Sequence, residues 1–336
     1  VIAFIVRRLL GAVGLLLVVS AVTFAIFFLV PKAAGVSSDD LAARFAGKSP
    51  TPAALAEIKE RFGLDDPVPV QYGRFVKALV AGDTYDTGTQ EIDCPAPCLG
   101  YSFRTSQSVL DQVVDRVPVT LSIALGAAVL WLLAGVSIGV LSALRRGTIF
   151  DRAAMGIALA GVSLPIFFTG LLSLAFIVYK WELLPAVNYV PLTENPAKWF
   201  SGLILPWVTL AFLYAALYAR LTRAGMLETL NEDYIRTARA KGLSERTVIT
   251  KHALRATLTP ILTIFGLDLG LLLGGAILTE RTFSLKGLGQ LALDGVNQSD
   301  LPVVIGVTLT AALFIVVANL LVDILYGVVD PRVRHS

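Results

Sequence analysis

Cys94 and Cys98, separated by Pro-Ala-Pro, are the only two cysteines of the chain. Sulfurs at that spacing close a short-loop disulfide, stay as free thiols, or supply half of a metal site. No second cysteine pair and no nearby histidine completes a zinc set, which favours the disulfide. Gly47-Lys48-Ser49 has the tail of a phosphate-binding loop, but position 42 is Ala where the motif needs its first Gly. No other nucleotide loop is present. The two histidines, His252 and His335, have no serine or cysteine nucleophile at a recognisable spacing, and no H-E-x-x-H motif occurs. Enzyme chemistry therefore finds little to work with, and a membrane-embedded enzyme stays a distant alternative.

Polar residues set in apolar surroundings are more telling. Asp268 stands in the middle of a long apolar run, and Asn319 and Asp323 lie four residues apart in another. A carboxylate at that depth is costly and normally faces a bundle interior or a water-filled path. Each has two readings: a group that helps a cationic or amino-terminal group of a solute to pass, or a structural carboxylate or amide bonded to a neighbouring helix.

The elements that must carry these residues are membrane spans. Of 336 residues 55% are hydrophobic and 16% charged, against about 25% charged in a soluble domain, and the mean hydropathy is +0.73. The net charge of +3 is small and dispersed, which argues against nucleic-acid binding. A hydrocarbon core of about 30 Å needs about 20 apolar residues in helix. Six such runs occur: 9–30, 117–144, 153–179, 203–219, 258–278 and 303–329. The first follows Arg7 and Arg8 but is longer than a signal-peptide core, so it is expected to be a retained span.

Basic residues sort by side. Arg7 and Arg8, then Arg145, Arg146 and Arg152, then the cluster from Arg220 to Arg255, then Arg332 and Arg334 all fall on one face of the alternating topology, while the opposite short loops hold only Lys180, Lys198, Arg281 and Lys286. The positive-inside rule places both termini in the cytoplasm and the 31–116 segment outside. The expected organisation is a tail and first span over 1–30, an extracytoplasmic segment over 31–116, and a five-helix core over 117–336 with a cytoplasmic loop at 220–257. Within the outer segment, Pro52 to Phe62 reads as a helix behind a Thr51 cap, with Leu55, Ile58 and Phe62 at helical spacing. Cys94 and Cys98 share that oxidising side.

The cytoplasmic loop carries the most information. Asn231 can cap a helix with Glu232 and Asp233 in its first turn and Arg239 and Lys241 in its last, each charge complementing the helix dipole. Gly242 permits a left-handed stop, and Ser244 can cap a second helix through Val248, Ile249 and Leu254 toward the fifth span, with Pro260 near its entry. From the residues alone this projection either docks on another protein or lies on anionic lipid headgroups.

Tyr234, Ile235, Arg236, Thr237, Ala238, Arg239, Ala240, Lys241 and Gly242, followed by Leu243, then His252-Ala253-Leu254-Arg255 and Pro260, resemble the coupling loop of bacterial dipeptide/oligopeptide ABC-transporter permeases. Arg236 and Thr237 stand where the general form of binding-protein-dependent permeases has Glu and Ala, a variant common in the peptide branch. The resemblance extends to Gly266-Leu267-Asp268-Leu269-Gly270, Leu273-Gly274-Gly275-Ala276, Glu280-Arg281-Thr282-Phe283-Ser284 with Gly287-Leu288-Gly289, Asp300-Leu301-Pro302, Asp323-Ile324-Leu325-Tyr326 and Asp330-Pro331-Arg332-Val333-Arg334. It covers nearly the whole chain and is weakest from Val36 to Ser106. Asp268 replaces an uncharged polar residue frequent in the family, and Lys286 interrupts its usual Pro-Gly pair.

The resemblance implies an all-α integral membrane protein of the bacterial cytoplasmic membrane, a six-span type I ABC importer permease with an extracytoplasmic insertion between its first two spans. It also implies a second, similar permease subunit, two cytoplasmic ATPase subunits that use ATP and magnesium, and an extracytoplasmic substrate-binding protein, all within membrane lipid. This chain itself then binds no cofactor, metal or nucleic acid and performs no catalysis. On that pattern the Tyr234 to Gly242 helix seats in an ATPase groove and transmits nucleotide-driven closure to the bundle. Other scaffolds of this kind carry nickel complexes or haem, and a stand-alone channel or secondary transporter is the rival from another class.

Overall fold

The computed structural model describes residues 2–45, 52–86 and 91–329. Gly47-Lys48-Ser49, the Thr51 cap, His335 and the basic C-terminal pair Arg332 and Arg334 lie outside the described residues.

Among the described residues, five helices are long and apolar enough to cross a membrane, and one bent pair of helices meets the same test when its two halves are taken as one span. The first span (Leu10–Ala33) widens into a π-turn at Ala25–Leu29. The second (Val109–Leu144) begins eight residues before the apolar run. Its added turns are amphipathic, burying Val109 and Val113 while exposing Asp111 and Asp115, so hydropathy alone does not see them. The third was expected as one span over 153–179. It is two, Ile149–Ser163 and Ile166–Lys180, meeting at 103°. The reason is local: Pro165 has no N–H to donate and disfavours helix in the residue before it, and Leu164 accordingly sits at φ −91° and ψ 128°.

The fourth span (Pro196–Thr229) outruns its apolar run at both ends. Asn195 caps it by accepting from the Lys198 N–H at 3.0 Å, Pro196 opens it, and Pro206 sits inside it without ending it. The fifth (Glu245–Leu273) runs without a break from the Ser244 cap into the membrane and stops at Gly274 and Gly275, where the backbone turns to φ +134° at Gly275. The expected 258–278 thus begins too late and ends too late. The sixth, Leu301–Val329, agrees closely with its apolar run.

The backbone divides into two compact units, Val1–Pro118 with Lys286–Val316, and Val119–Leu285 with Val317–Ser336. In the first unit, the segment between the first two spans holds helices Ser38–Phe45, Pro52–Phe62 and Val68–Ala81, followed by two small antiparallel hairpins, β1 (Asp83–Asp86) with β2 (Glu91–Cys94), and β3 (Tyr101–Ser102) with β4 (Gln107–Ser108). The expected Pro52 to Phe62 helix is present. Phe24 and Phe28 of the first span pack with Leu41, Ile58, Leu64, Leu301 and Ile305 in one apolar core. A second core joins Val109 and Val113 to Leu288, Leu291, Val303 and Val307. Cys94 and Cys98 are joined in a disulfide with a Cα–Cα distance of 5.4 Å, packed beside Tyr85 and Tyr101.

The second unit depends on close helix approach. A Cβ on Gly135 would stand 2.6 Å from the Tyr218 Cβ, and one on Gly139 would stand 2.5 Å from the Thr222 Cβ and 2.7 Å from the Ala219 carbonyl oxygen. Glycines four apart on the second span therefore let the fourth lie against it, the packing that small residues provide in membranes. Gly266 does the same for the fifth and sixth spans, where a Cβ would meet Val322 Cγ2 at 2.6 Å.

Candidate functional site

The short helix Asp233–Ala240 is built much as its residues dictate, with one exception. Asn231 does not cap it. Its amide donates back to the Leu227 carbonyl at 2.8 Å, closing the preceding helix, and Glu232 takes the N-cap position without a side-chain bond. Asn is equally good at satisfying a free C-terminal carbonyl, and the helix it follows ends at Thr229 with Leu230 as its C-cap. The C-terminus is as expected. Gly242 sits at φ +77°, its N–H bonds to the Arg239 carbonyl at 2.9 Å, and the Leu243 N–H reaches Ala238 at 3.3 Å, the paired bonds of a Schellman stop. Ser244 then accepts from the Thr247 N–H at 3.4 Å and starts the next helix. Arg239 spans the turn to Glu245 at 2.7 Å.

Burial splits this helix into two sides. Ile235 is fully buried and Ala238 nearly so, both packed against Ala143, Met226, Val248 and Ala253 from the ends of the second, fourth and fifth spans. Tyr234, Arg236, Thr237, Arg239 and Lys241 are exposed. Partial burial, and after it the Glu232 carboxylate, raise the Tyr234 phenol above its ordinary value, so at neutral pH it is an uncharged donor. Apolar residues three apart fix the helix to the bundle, and a rim of aromatic, hydroxyl and cationic groups faces outward.

A second anchor at that end was not foreseen. Arg223 makes a two-pronged pair with Asp151, at 2.6 and 2.7 Å, and Asp151 also accepts from the Gly147 N–H at 2.9 Å. The pair ties the fourth span to the start of the bent third one. No sequence signal joins residues 72 positions apart on separate helices.

Asp268 accepts a hydrogen bond from the Tyr218 hydroxyl at 2.9 Å and is itself only part-buried. Tyr218 is fully buried beside Trp131, which stacks on Tyr214 at 4.7 Å and lies 5.9 Å from Phe265. Asp268 thus has a helix partner and an open side. Asn319 is part-buried on the sixth span, no hydrogen bond joins it to Asp268 among the described residues, and the side chain of Asp323 lies outside them. Glu280, fully buried, accepts from Thr120 at 2.8 Å.

Gly135-Val136-Ser137-Ile138-Gly139 has the letters of a G-x-S-x-G nucleophile elbow, but it lies within the continuous helix Val109–Leu144 rather than at a strand-to-helix turn, so its glycines serve packing. His252 sits part-buried in the π-turn Val248–Ala253. Among the described residues no group of three or more His, Cys, Asp or Glu side chains is placed to hold a metal.

A helical bundle with a docked, outward-facing helix at one end is matched in sequence by the family of binding-protein-dependent transport system inner membrane components over residues 135–335, and by the N-terminal part of the same membrane components over residues 1–124. The chain belongs to this family. It is a multi-pass membrane component of a transport system, not the subunit that hydrolyses ATP. A protein of Brucella abortus named as a peptide transport system permease is 38% identical over 334 residues, 99% of each chain. The dipeptide transport system permease protein of Escherichia coli K12 is 36% identical over 356 residues, again 99% of each. The inward-facing methionine ABC transporter MetNI superposes at a TM-score of 0.48 with 18% identity, across 66% of this chain and 97% of that one.

Proposed function

We propose that this chain is one of two similar membrane-spanning subunits of an ATP-driven importer of di- or oligopeptides, moving its cargo by alternating access. Full-length likeness to peptide and dipeptide permeases supports the cargo. The observation that carries the coupling role is the Asp233–Ala240 helix, seated on the bundle by Ile235 and Ala238 and offering Tyr234, Arg236, Thr237, Arg239 and Lys241 to a partner. In this reading Tyr234 to Gly242 occupies a groove on a cytoplasmic ATPase. Closure of two ATPase subunits on ATP and magnesium then moves the helix as a rigid lever, because Val248 and Ala253 tie it to the continuous fifth span.

The same reading places both termini in the cytoplasm, the 31–116 segment outside with its Cys94–Cys98 disulfide in an oxidising compartment, and the 117–336 core in lipid beside the second permease. A binding protein delivers substrate to the outer side. Asp268, with Asn319 and Asp323, contributes polar groups to the path, the Tyr218 bond fixing the Asp268 carboxylate while its open side meets the cargo. Proteoliposomes holding both permeases and the ATPases test this. Uptake of a labelled dipeptide is expected only with ATP on the ATPase side and binding protein on the other. Peptide flux without ATP would contradict the proposal, and uptake of a nickel complex or haem in place of peptide would overturn the cargo.

A further inference from the structure

The turn between the second span and the bent third segment reads Arg145-Arg146-Gly147-Thr148-Ile149-Phe150-Asp151-Arg152. Asp151 is the only acidic residue from 116 to 181, and its buried carboxylate is already occupied by Arg223 and the Gly147 N–H. Arg145, Arg146 and Arg152 are exposed, and among the described residues none of the three forms an ion pair. Their backbone is nonetheless fixed. Gly147 turns at φ +78°, and the Thr148 hydroxyl donates to the Arg145 carbonyl at 2.7 Å while accepting from the Asp151 N–H at 3.4 Å. Three positive charges are thus held on a built turn with no negative charge of the chain left to meet them.

Beside these charges the turn presents apolar side chains outward. Ile149 is 86% exposed, Phe150 is exposed too, and the Arg145 guanidinium lies 6.0 Å from the Phe150 ring centroid. Ile149 also opens an apolar face, because Ala153, Ile157 and Ala160 follow it at helical spacing and are all exposed. The arginines therefore stand at the rim of a surface that continues along a membrane segment, which favours a lipid over a soluble partner. Guanidinium forks suit phosphate oxygens, and an uncompensated positive cluster favours an anionic head over a zwitterionic one. We infer that this turn is a binding site for an anionic phospholipid of the adjoining leaflet. Arg145, Arg146 and Arg152 supply the charge for its phosphate, and the Ile149 face receives its acyl chain. Because Asp151 closes the same turn, the bound lipid also steadies the tie to Arg223 of the fourth span.

The assembled transporter, reconstituted in phosphatidylcholine vesicles, tests the site with two trace lipids that carry the same photoreactive acyl chain and differ only in head group, phosphatidylglycerol or phosphatidylcholine. The ratio of phosphatidylglycerol to phosphatidylcholine labelling is expected to be about tenfold higher at Ile149, Phe150 and Ala153 than at the exposed Val22 and Ile26 of the first span. Arg146→Gln should lower that ratio by about fivefold, the worth of one basic residue at an anionic lipid group. Arg145→Gln, Arg146→Gln and Arg152→Gln together should bring it to the value at Val22, while labelling by the phosphatidylcholine probe stays unchanged. Equal ratios at Ile149 and Val22, or a ratio unmoved by the triple change, would mean bulk lipid contact only. Displacement of the phosphatidylglycerol label by inorganic phosphate, but not by chloride at equal ionic strength, would make the turn a site for a soluble anion. Either result overturns the inference.

Discussion

The Tyr218–Asp268 bond shows what one residue pair does in a membrane bundle. Interhelical hydrogen bonds there contribute on average about 0.6 kcal/mol and at most about 1.7, because polar groups in the unfolded chain also find partners. Tyr218→Phe is thus expected to lower resistance to unfolding in detergent by about 1 kcal/mol while the transporter still assembles. Asp268→Asn keeps the acceptor and removes the charge, so assembly should persist while uptake of cationic peptides falls relative to neutral ones; equal uptake of both would leave Asp268 a purely structural role. That Asp268 would face either a neighbouring helix or an open path was legible in the sequence, since a carboxylate at that depth is costly in lipid. Which partner was not, because Tyr218 lies 50 residues away and the register between two helices is set by packing. Thr120 with Glu280, 160 residues apart, and Arg223 with Asp151 were hidden for the same reason. Asn231 was misread in a different way: its amide could serve either of two adjacent helix ends, and local rules do not rank them.

At the scale of elements, two glycines illustrate different constraints. Gly242 has open space around it, with nothing within 4 Å of where a Cβ would stand, so only its φ of +77° restricts it. A side chain there costs about 1–2 kcal/mol of backbone strain. Gly242→Val should leave the complex assembled but change the exit angle of the Asp233–Ala240 helix, so that ATP hydrolysis continues and uptake falls; normal uptake would remove the lever from the account. Gly139 has an ordinary place in a helix and no space, its Cβ site lying 2.7 Å from a carbonyl oxygen. Gly139→Val should instead force the second and fourth spans apart and destabilise the subunit by about 1–3 kcal/mol, read as earlier thermal aggregation in detergent. Hydropathy located each long apolar helix but blurred the ends, since amphipathic turns such as Val109–Arg116 and the Ser244-capped start of the fifth span carry no apolar run. The 103° bend of the third apolar segment was written at Pro165, but an unbroken apolar run over 153–179 concealed it.

For the whole molecule, the membrane class follows from composition, and family membership follows from likeness along nearly the full chain. The helices and hairpins between the first two spans were the least legible part, because the short amphipathic helices draw their order from Phe24, Phe28 and Ile305 and the two-residue strands from the cluster of Tyr85, Cys94, Cys98 and Tyr101. The central claim is that the Asp233–Ala240 helix is where the ATPase acts on this chain. A photoreactive amino acid placed in turn at the exposed Thr237 and the buried Ile235 of the assembled transporter tests it directly. Thr237 should capture the ATPase, with a yield that changes when ATP binds, and Ile235 should capture only residues of this chain. Capture of lipid alone at Thr237, in every nucleotide state, would contradict the account.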